Sequence, residues 1–256
     1  MLWGEILTAE EKLLIAKTED LFRLCDKHQK PQFSVFLNEA EKAFLEKNVG
    51  DRIGYNCCYF GGYDNAMRTV FGVFPEWEEL NNYSFPIKTI KITKKYKKEL
   101  SHRDYLGTVL SKGINREQVG DILINDDEAF IFILSDIADY VSTGIDKIAN
   151  VGVKTLVEDF SLVKIPEPKF ETINAVAASL RLDAVIAAML RLSRKEASSL
   201  IIGEKISVNH LPCQNVSHIL KENDIISVRG SGRFIFCNVQ GTTRSDRLHI
   251  IVKKYI

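Results

Sequence analysis

Hydrophobic and polar positions change their spacing several times along the first 84 residues. The run Thr8-Ala-Glu-Glu11 is a capping box, and the leucines after it lie at near-helical spacing, which predicts a long first helix. In order, the pattern predicts a helix over 8–29, a strand over 32–37, a helix capped by Asn38, a strand over 53–61 and, after the Gly61-Gly62 turn, a helix from Asp64 to before Pro75. Residues 1–84 are therefore predicted to form a small α/β domain that ends in a polar linker over 78–84.

The next segment alternates strand and helix patterns in an order that limits its topology. The pattern predicts strands over 86–93, 120–125, 129–134 and 152–158, helices over 101–114 and 135–148, and a tight turn at Asp126-Asp127. This β-α-β-β-α-β order is typical of the ferredoxin-like fold that RNA-recognition domains share, so residues 85–165 are assigned to such a domain. Phe130 and Phe132 share one face of the third strand. Two interpretations stay open for them: packing beneath the helices, or a platform on which RNA bases stack.

A stiff joint separates this segment from the rest of the chain. The two prolines of Ile165-Pro-Glu-Pro168 disfavour helix and remove backbone donors, so a third domain is expected over 170–256. The pattern there predicts helices over 175–190 and from the Ser193-Arg-Lys-Glu196 capping box to about Ile202, and strands over 206–209, 225–229, 234–239 and 248–252. The expected fold class is α+β, with three small domains.

Composition and charge narrow the function classes. The chain has 34 Lys and Arg against 34 Asp and Glu, and its 45% hydrophobic content excludes a disordered or fibrous protein. The zero net charge hides an uneven distribution, because residues 81–119 hold 9 basic and 3 acidic residues, and residues 170–256 hold 12 and 7. Both blocks can face an anionic partner. No apolar run is long enough to span a membrane and no signal-peptide pattern is present, so a cytoplasmic protein is expected.

Basic side chains concentrate around the helices and turns of the third domain. Several lie where one predicted helix ends and the next begins, beside a cap whose free amides can receive a phosphate. Asp183 is expected to cap or pair locally instead of contacting RNA, and Arg181 has the same structural alternative. The candidate RNA-binding residues are Arg181, Arg191, Ser193, Arg194, Lys195, Lys205, Asn209, Arg229 and Arg233.

Spaced motifs in the third domain closely resemble the RNA-binding domain named after ribosomal protein S-four, with a core over 179–235. They are Arg181-Leu-Asp183, Ser193-Arg194, Ala197, Gly203, Val208-Asn209, Asp224, Ile226 and Val228-Arg229-Gly230. The resemblance implies a compact plate of two helices and a turn whose basic edge grips folded RNA. The sequence departs from the family at Asn223, where a glycine usually precedes the aspartate, and asparagine tolerates the left-handed backbone such a turn requires.

Further motifs resemble the YlmH family. They are His102-Arg-Asp-Tyr-Leu-Gly107, Gly113-Ile-Asn-Arg-Glu117 and Gly120-Asp-Ile-Leu123 in the middle segment, with Gly61-Gly-Tyr63, Arg68 and Pro75 before it. The resemblance implies an N-terminal α/β domain, an RNA-recognition-like middle domain and the C-terminal plate. Genes of this family tend to lie among bacterial cell-division genes, so an indirect role in cell division is expected. The plate also resembles quality-control factors that bind stalled large ribosomal subunits carrying peptidyl-tRNA.

The positive middle block is a candidate second RNA contact, although lysine runs are usually solvated faces. Two separated basic regions would let one chain bridge two RNA elements. The residues of this second contact are Lys94, Lys95, Lys97, Lys98, Arg103 and Arg116.

The leading hypothesis is a non-enzymatic, monomeric protein that binds rRNA or tRNA in translation quality control, without cofactor, metal or small-molecule substrate. The alternative is an RNA-modifying enzyme of the pseudouridine synthase or rRNA methyltransferase type, or an accessory subunit of one, because such enzymes also carry the plate. No glycine-rich nucleotide loop follows a strand, and the histidines lack a Cys or Ser partner at a convincing spacing. A DNA-reading helix-turn-helix is disfavoured because the second helix is short and runs straight into strands.

Overall fold

The computed structural model describes residues 7–49, 52–79, 85–125, 128–165 and 169–256. The chain divides into two compact units, residues 1–166 and 167–256. Three expectations fall on residues outside this description: most of the linker over 78–84, the turn at Asp126-Asp127 and the prolines of the 165–168 joint. The expected mixture of helices and sheets, α+β, is confirmed.

The first unit combines two sheets with four α-helices in its described residues. Its helices are α1 (Ala9–His28), α2 (Glu39–Asn48), α3 (His102–Leu110) and α4 (Ala138–Thr143). Its strands are β1 (Gln32–Leu37), β2 (Tyr55–Phe60), β3 (Thr69–Pro75), β4 (Ile87–Lys94), β5 (Val119–Ile124), β6 (Glu128–Leu134), β7 (Lys147–Ile148) and β8 (Val151–Glu158). None of the helices among the described residues of the chain has the length and apolarity to span a bilayer.

The first two helices begin where their capping boxes predict. Thr8 Oγ1 accepts the Glu11 N–H at 3.2 Å, and the Glu11 carboxylate accepts the Thr8 N–H at 2.7 Å. Asn38 and Glu41 make the same reciprocal pair at the start of α2. Each box satisfies two backbone donors that a helix start would otherwise leave without partners.

The helix expected from Asp64 to Pro75 is wrong, because β3 occupies that region. β3 is the central strand of the sheet β1-β3-β2. Phe71 and Val73 pack against α1 and α2, whereas Val70 and Phe74 pack in the opposite direction, and all four are buried. A strand that is buried on both faces forms a continuous apolar run without the alternation that identifies strands from sequence.

The middle sheet has the strand order β5-β6-β4-β8-β7, and its four long strands confirm the ferredoxin-like arrangement. Both of its helices are shorter than expected. α3 ends at Leu110, before Gly113 with its positive φ of 80°. α4 covers only Ala138–Thr143, and the chain then forms the β7–β8 hairpin instead of continuing as helix to Ile148.

Neither interpretation offered for Phe130 and Phe132 is correct. α3 and α4 cover one face of the middle sheet, where Ile131 and Ile133 point. The two phenylalanines point to the other face, which the N-terminal sheet covers, and they are 4% and 0% exposed. The first unit therefore has four layers: α1 and α2, the N-terminal sheet, the middle sheet, and α3 with α4.

A buried carboxylate also connects the two sheets. Asp121 on β5 accepts hydrogen bonds from the Tyr63 hydroxyl at 2.8 Å and the Met67 N–H at 2.7 Å. Arg68, beside them, donates to the carbonyls of Val119 and Phe36, both at 2.9 Å. These bonds satisfy polar groups that would be costly to bury alone, so the contact between the sheets is polar as well as apolar.

The second unit contains two helices and one six-stranded sheet of order β11-β10-β12-β13-β14-β9. The elements are β9 (Phe170–Ala177), α5 (Leu182–Leu190), α6 (Arg194–Ile202), β10 (Ile206–Val208), β11 (Leu211–Pro212), β12 (Ile225–Val228), β13 (Gly232–Thr242) and β14 (Leu248–Tyr255). The helix expected over 175–190 begins only at Leu182, because the residues before it pair with β14 as an edge strand. That pairing is non-local, so the local pattern did not indicate it.

We expect Gly62→Ala to destabilise the first unit by about 1–3 kcal/mol more than Gly54→Ala, because added atoms overpack a close contact. A Cβ at Gly62 would lie 2.3 Å from the Phe132 ring, whereas a Cβ at Gly54 would meet nothing within 4 Å. Both glycines have positive φ, 98° and 90°, so both variants carry the same backbone strain. Urea unfolding followed by tryptophan fluorescence measures this unit, since Trp77 lies in it and the second unit, residues 167–256, contains no tryptophan. Equal midpoints for the two variants would contradict the prediction.

Candidate nucleic-acid interface

The junction between α5 and α6 exposes three basic residues within five positions. α5 ends at Leu190, and its C-cap Arg191 has a left-handed backbone with φ of 56°. Ser193 caps α6, since its Oγ accepts the Glu196 N–H at 3.2 Å and the Glu196 carboxylate accepts the Ser193 N–H at 2.8 Å, so the predicted capping box is confirmed. Arg191, Arg194 and Lys195 are exposed around this cap. Several hydrogen-bond donors are therefore exposed to solvent within one small patch of the surface.

A buried aspartate connects two arginines of the candidate set. Asp183 Oδ1 accepts from Arg181 Nε at 3.1 Å, and Asp183 Oδ2 accepts from Arg194 Nη2 at 2.7 Å. The Asp183 side chain is 6% exposed, whereas those of Arg181 and Arg194 are 37% and 56% exposed. The expected local pairing of Asp183 is confirmed. One carboxylate thus orients two guanidinium groups, and the set keeps a net positive charge toward solvent.

The protonation of Asp183 follows from this pairing. Burial raises the pKa of the carboxyl, but hydrogen bonds and charge from Arg181 and Arg194 outweigh burial, and the pKa lies below its ordinary value. Asp183 is therefore ionised at neutral pH, which fixes the position of both guanidinium groups before any ligand arrives.

Three further basic candidates surround a cavity of about 510 Å³ at the β10–β12 end of the sheet. Lys205, Arg229 and Arg233 line it together with Ser207 and Ser227. The Arg229 N–H donates to the Lys205 carbonyl at 2.8 Å, which holds the two basic residues next to each other. The cavity combines positive charge with hydroxyl donors, the groups that contact phosphate in nucleic-acid complexes.

The Asn209 side chain is engaged within the fold. Its Nδ2 donates to Asp224 Oδ1 and its Oδ1 accepts the Ile225 N–H, both at 2.9 Å. Asp224 also accepts the Lys221 N–H at 2.7 Å, and Asn223 has the left-handed φ of 70° expected for this turn. Asn209 and Asp224 therefore hold the turn together, and a contact from Asn209 to RNA stays a prediction.

The middle-segment candidates divide into two groups. Lys95, Lys97, Lys98 and Arg103 are exposed, and Lys94, next to them, donates to the Lys98 carbonyl at 3.2 Å. These residues can face a ligand.

Arg116 is half-buried and directs its guanidinium toward backbone carbonyls of Val119 and Gly120. Burial and the neighbouring charge of Arg68 lower the pKa of Arg116. Its guanidinium is therefore engaged with the backbone at the start of β5, and a contact from Arg116 to RNA stays a prediction.

Comparisons with known proteins agree with these two units. Residues 78–161 match the family model described as "Putative RNA-binding domain in YlmH", and residues 180–226 match the model described as "S4 domain". The resemblance to the YlmH family is therefore confirmed, and the chain carries both kinds of RNA-binding domain.

Two proteins are similar over larger parts of the chain. The ribosome-associated protein quality control protein P2 of Bacillus subtilis (strain 168) is 26% identical over 247 residues, covering 96% of this chain and 95% of that protein. The solved structure of the cell division protein ylmH from Streptococcus pneumoniae aligns with a TM-score of 0.53 and 23% identity, covering 64% of this chain and 99% of that chain, and it supports the fold. The matched domains support an RNA-binding role for this chain.

We expect Arg191→Gly to stabilise the second unit by about 0.5–1 kcal/mol, because glycine adopts the left-handed helix end without steric cost. Arg191→Ala is the matched control, since it removes the same charge but keeps a Cβ at φ of 56°. Thermal unfolding of both variants, compared with the wild type, measures the difference. A glycine variant no more stable than the alanine variant would show that the cap carries no strain.

We expect Asp183→Asn to lower the free energy of unfolding at pH 7 by about 2 kcal/mol, because hydrogen bonds between charged groups are lost. The pKa of Asp183 is lowered in the folded state. Its charge therefore stabilises the fold above the pKa of an unfolded aspartate, about 3.9, and this stabilisation is lost as the pH falls through the folded-state pKa. Urea unfolding from pH 7 to pH 3 should show the two proteins converging, and a constant difference would contradict the assignment.

Proposed function

We propose that this chain is a non-enzymatic RNA-binding protein that acts as a monomer on the large ribosomal subunit and engages rRNA or tRNA during rescue of stalled translation. The observation that carries the proposal is the pair of guanidinium groups, Arg181 and Arg194, that Asp183 holds at the α5–α6 junction. Arginine presents a planar fork of donors that matches phosphate oxygens. Because Asp183 orients both arginine side chains before RNA binds, they lose less conformational entropy on binding.

The surroundings of this pair suit a folded RNA. Arg191 and Lys195 extend the positive surface on both sides of the Ser193 cap. Phosphate contacts of this kind fix register and orientation and carry no base information by themselves. The specificity would therefore come from the shape of the RNA and from the number of sites engaged together.

The ribosomal part of the proposal takes support from the comparisons. The Bacillus subtilis relative is named as ribosome-associated and as a quality control protein, and its similarity extends over 96% of this chain. The exposed cations Lys95, Lys97, Lys98 and Arg103 provide a second contact in this proposal, within the segment that matches the YlmH RNA-binding domain. Contacts in two segments would raise the overall affinity through effective concentration.

We expect Arg194→Ala combined with Lys195→Ala to weaken cosedimentation with purified large ribosomal subunits by about 30-fold or more, since each lost charge-assisted hydrogen bond contributes roughly 1.5–3 kcal/mol before solvent screening. Asp183 keeps Arg181 as a partner in this variant, so the second unit should stay folded. The slope of log affinity against log salt should also become shallower by about 1–2.

The matched control is Lys27→Ala combined with Lys30→Ala, which removes two exposed lysines from the first unit. This control should sediment with subunits as the wild type does. Unchanged sedimentation of the Arg194 and Lys195 variant, with the salt slope also unchanged, would overturn the assignment of the interface.

A further inference from the structure

The sheet of the second unit has a second face, directed away from its helices. Ile226, Phe234 and Val252 point into the core shared with α5 and α6, and each is buried. Because side chains alternate along a strand, the residues between them point to the opposite, outer face. None of the RNA-binding candidates on the helices belongs to this face.

One row of outer-face residues crosses five strands. Ser207 pairs with Ser227, and Ser227 pairs with Arg233. The Arg233 guanidinium lies over the Tyr255 ring, 5.9 Å from its centroid. Tyr255 in turn pairs with Phe170. Four steps between strands at about 4.8 Å give the row a length of roughly 19 Å. Hydroxyl groups therefore occupy one end of the row, a cation the middle and two aromatic rings the other end.

The aromatic end is bordered by charge from the neighbouring row. The Phe170 and Tyr255 rings lie 4.8 Å apart, and Lys253 Nζ lies 5.6 Å from the Phe170 centroid. Ile235 pairs with Lys253, and Lys253 with Thr172, so the second row is apolar, cationic and polar in turn. The two ring planes are inclined at 57°. A cation beside adjacent aromatic rings is a combination that attracts both the phosphates and the bases of a nucleic acid.

Acidic groups are absent from this face over the described strands. Strands β10, β12, β13 and β14 contain no Asp or Glu, and the one acidic residue of β9, Glu171, pairs with Lys254, which points to the core side over the Phe234 ring. Glu204 lines the cavity that the row shares through Ser207, Ser227 and Arg233, and its carboxylate accepts a hydrogen bond from Gln214 at 2.5 Å. The charge of the outer face is therefore complementary to a polyanion.

We propose that the outer face of this sheet binds single-stranded RNA, with Phe170 and Tyr255 stacking on bases and Arg233 and Lys253 contacting phosphates. This inference rests on the proposed function, because it assigns a second RNA element to the same unit. The helix side holds folded RNA and the sheet side holds an unpaired segment, so the two sites differ in the structure of the RNA they accept.

The test uses the full chain and a fluorescein-labelled oligouridine of twelve nucleotides, measured by fluorescence anisotropy at low salt. Lys253→Glu should weaken binding of the oligonucleotide at least tenfold, and Phe170→Leu at least threefold, since leucine keeps apolar bulk but has no aromatic face. Arg194→Ala combined with Lys195→Ala should change oligonucleotide binding less than twofold while it weakens binding to large subunits. Arg244→Glu, an exposed charge reversal in the β13–β14 hairpin, is the matched control and should leave oligonucleotide binding unchanged.

The outcomes separate the two proposals. Oligonucleotide affinity that depends on Arg194 and Lys195 but not on Lys253 and Phe170 overturns the outer-face site and leaves the helix site intact. Failure of the wild type to bind the oligonucleotide, with binding to subunits retained, would also overturn the outer-face site and leave the helix site intact. Failure to bind either probe overturns the proposed function as well.

A competition with polyglutamate distinguishes RNA from an acidic polypeptide. Displacement of the oligonucleotide by polyglutamate at equal charge concentration, together with no effect of Phe170→Leu, would show that the face binds an acidic chain and would overturn the proposal. Thermal unfolding checks that each variant is folded, and Lys253→Glu, at an exposed position, keeps the test valid if Phe170→Leu is unstable.

Discussion

The packing of two sheets face to face in the first unit is the constraint on which its structure depends. Phe132 is fully buried between them. A side chain at Gly62 would overlap the Phe132 ring, and a side chain at Gly120 would overlap the ring of Phe36 on the N-terminal sheet. Burying such a ring contributes about 1.5–3 kcal/mol. The same packing buries Phe130 and Phe132 on the sheet face where RNA-recognition domains stack bases, so these two rings are not accessible to RNA bases.

In the second unit, buried carboxylates position the polar side chains that lie at the surface. Asp183 is buried between two arginines that remain largely exposed, and Asp224 is buried beneath the turn that Asn209 completes. In both places a carboxylate that no ligand can reach determines the position of groups that a ligand can reach. A buried charge is tolerated there because its partners supply hydrogen bonds.

Neutral composition and an RNA-binding role are compatible in this chain. Two acidic residues at the helix junction are engaged within the fold, since Asp183 is buried between arginines and Glu196 completes the cap of α6. They therefore subtract little from the positive surface there. A net charge of zero limits long-range attraction to any polyanion, and closely placed cations still bind a suitably shaped one. The distribution of charge over surfaces, and not its sum, carries the functional information.

Local sequence signals determined the capped helix starts at Thr8, Asn38 and Ser193, the ferredoxin-like strand order and the location of the basic helix junction, because caps, turns and periodicity act within a few residues. The same signals missed β3 and β9, whose identity as strands depends on pairing with distant segments. They also could not separate Arg116, which binds backbone carbonyls, from the exposed Arg103. Only the tertiary structure decided which motif residues face solvent, because burial is set by what packs against each element and not by the element itself.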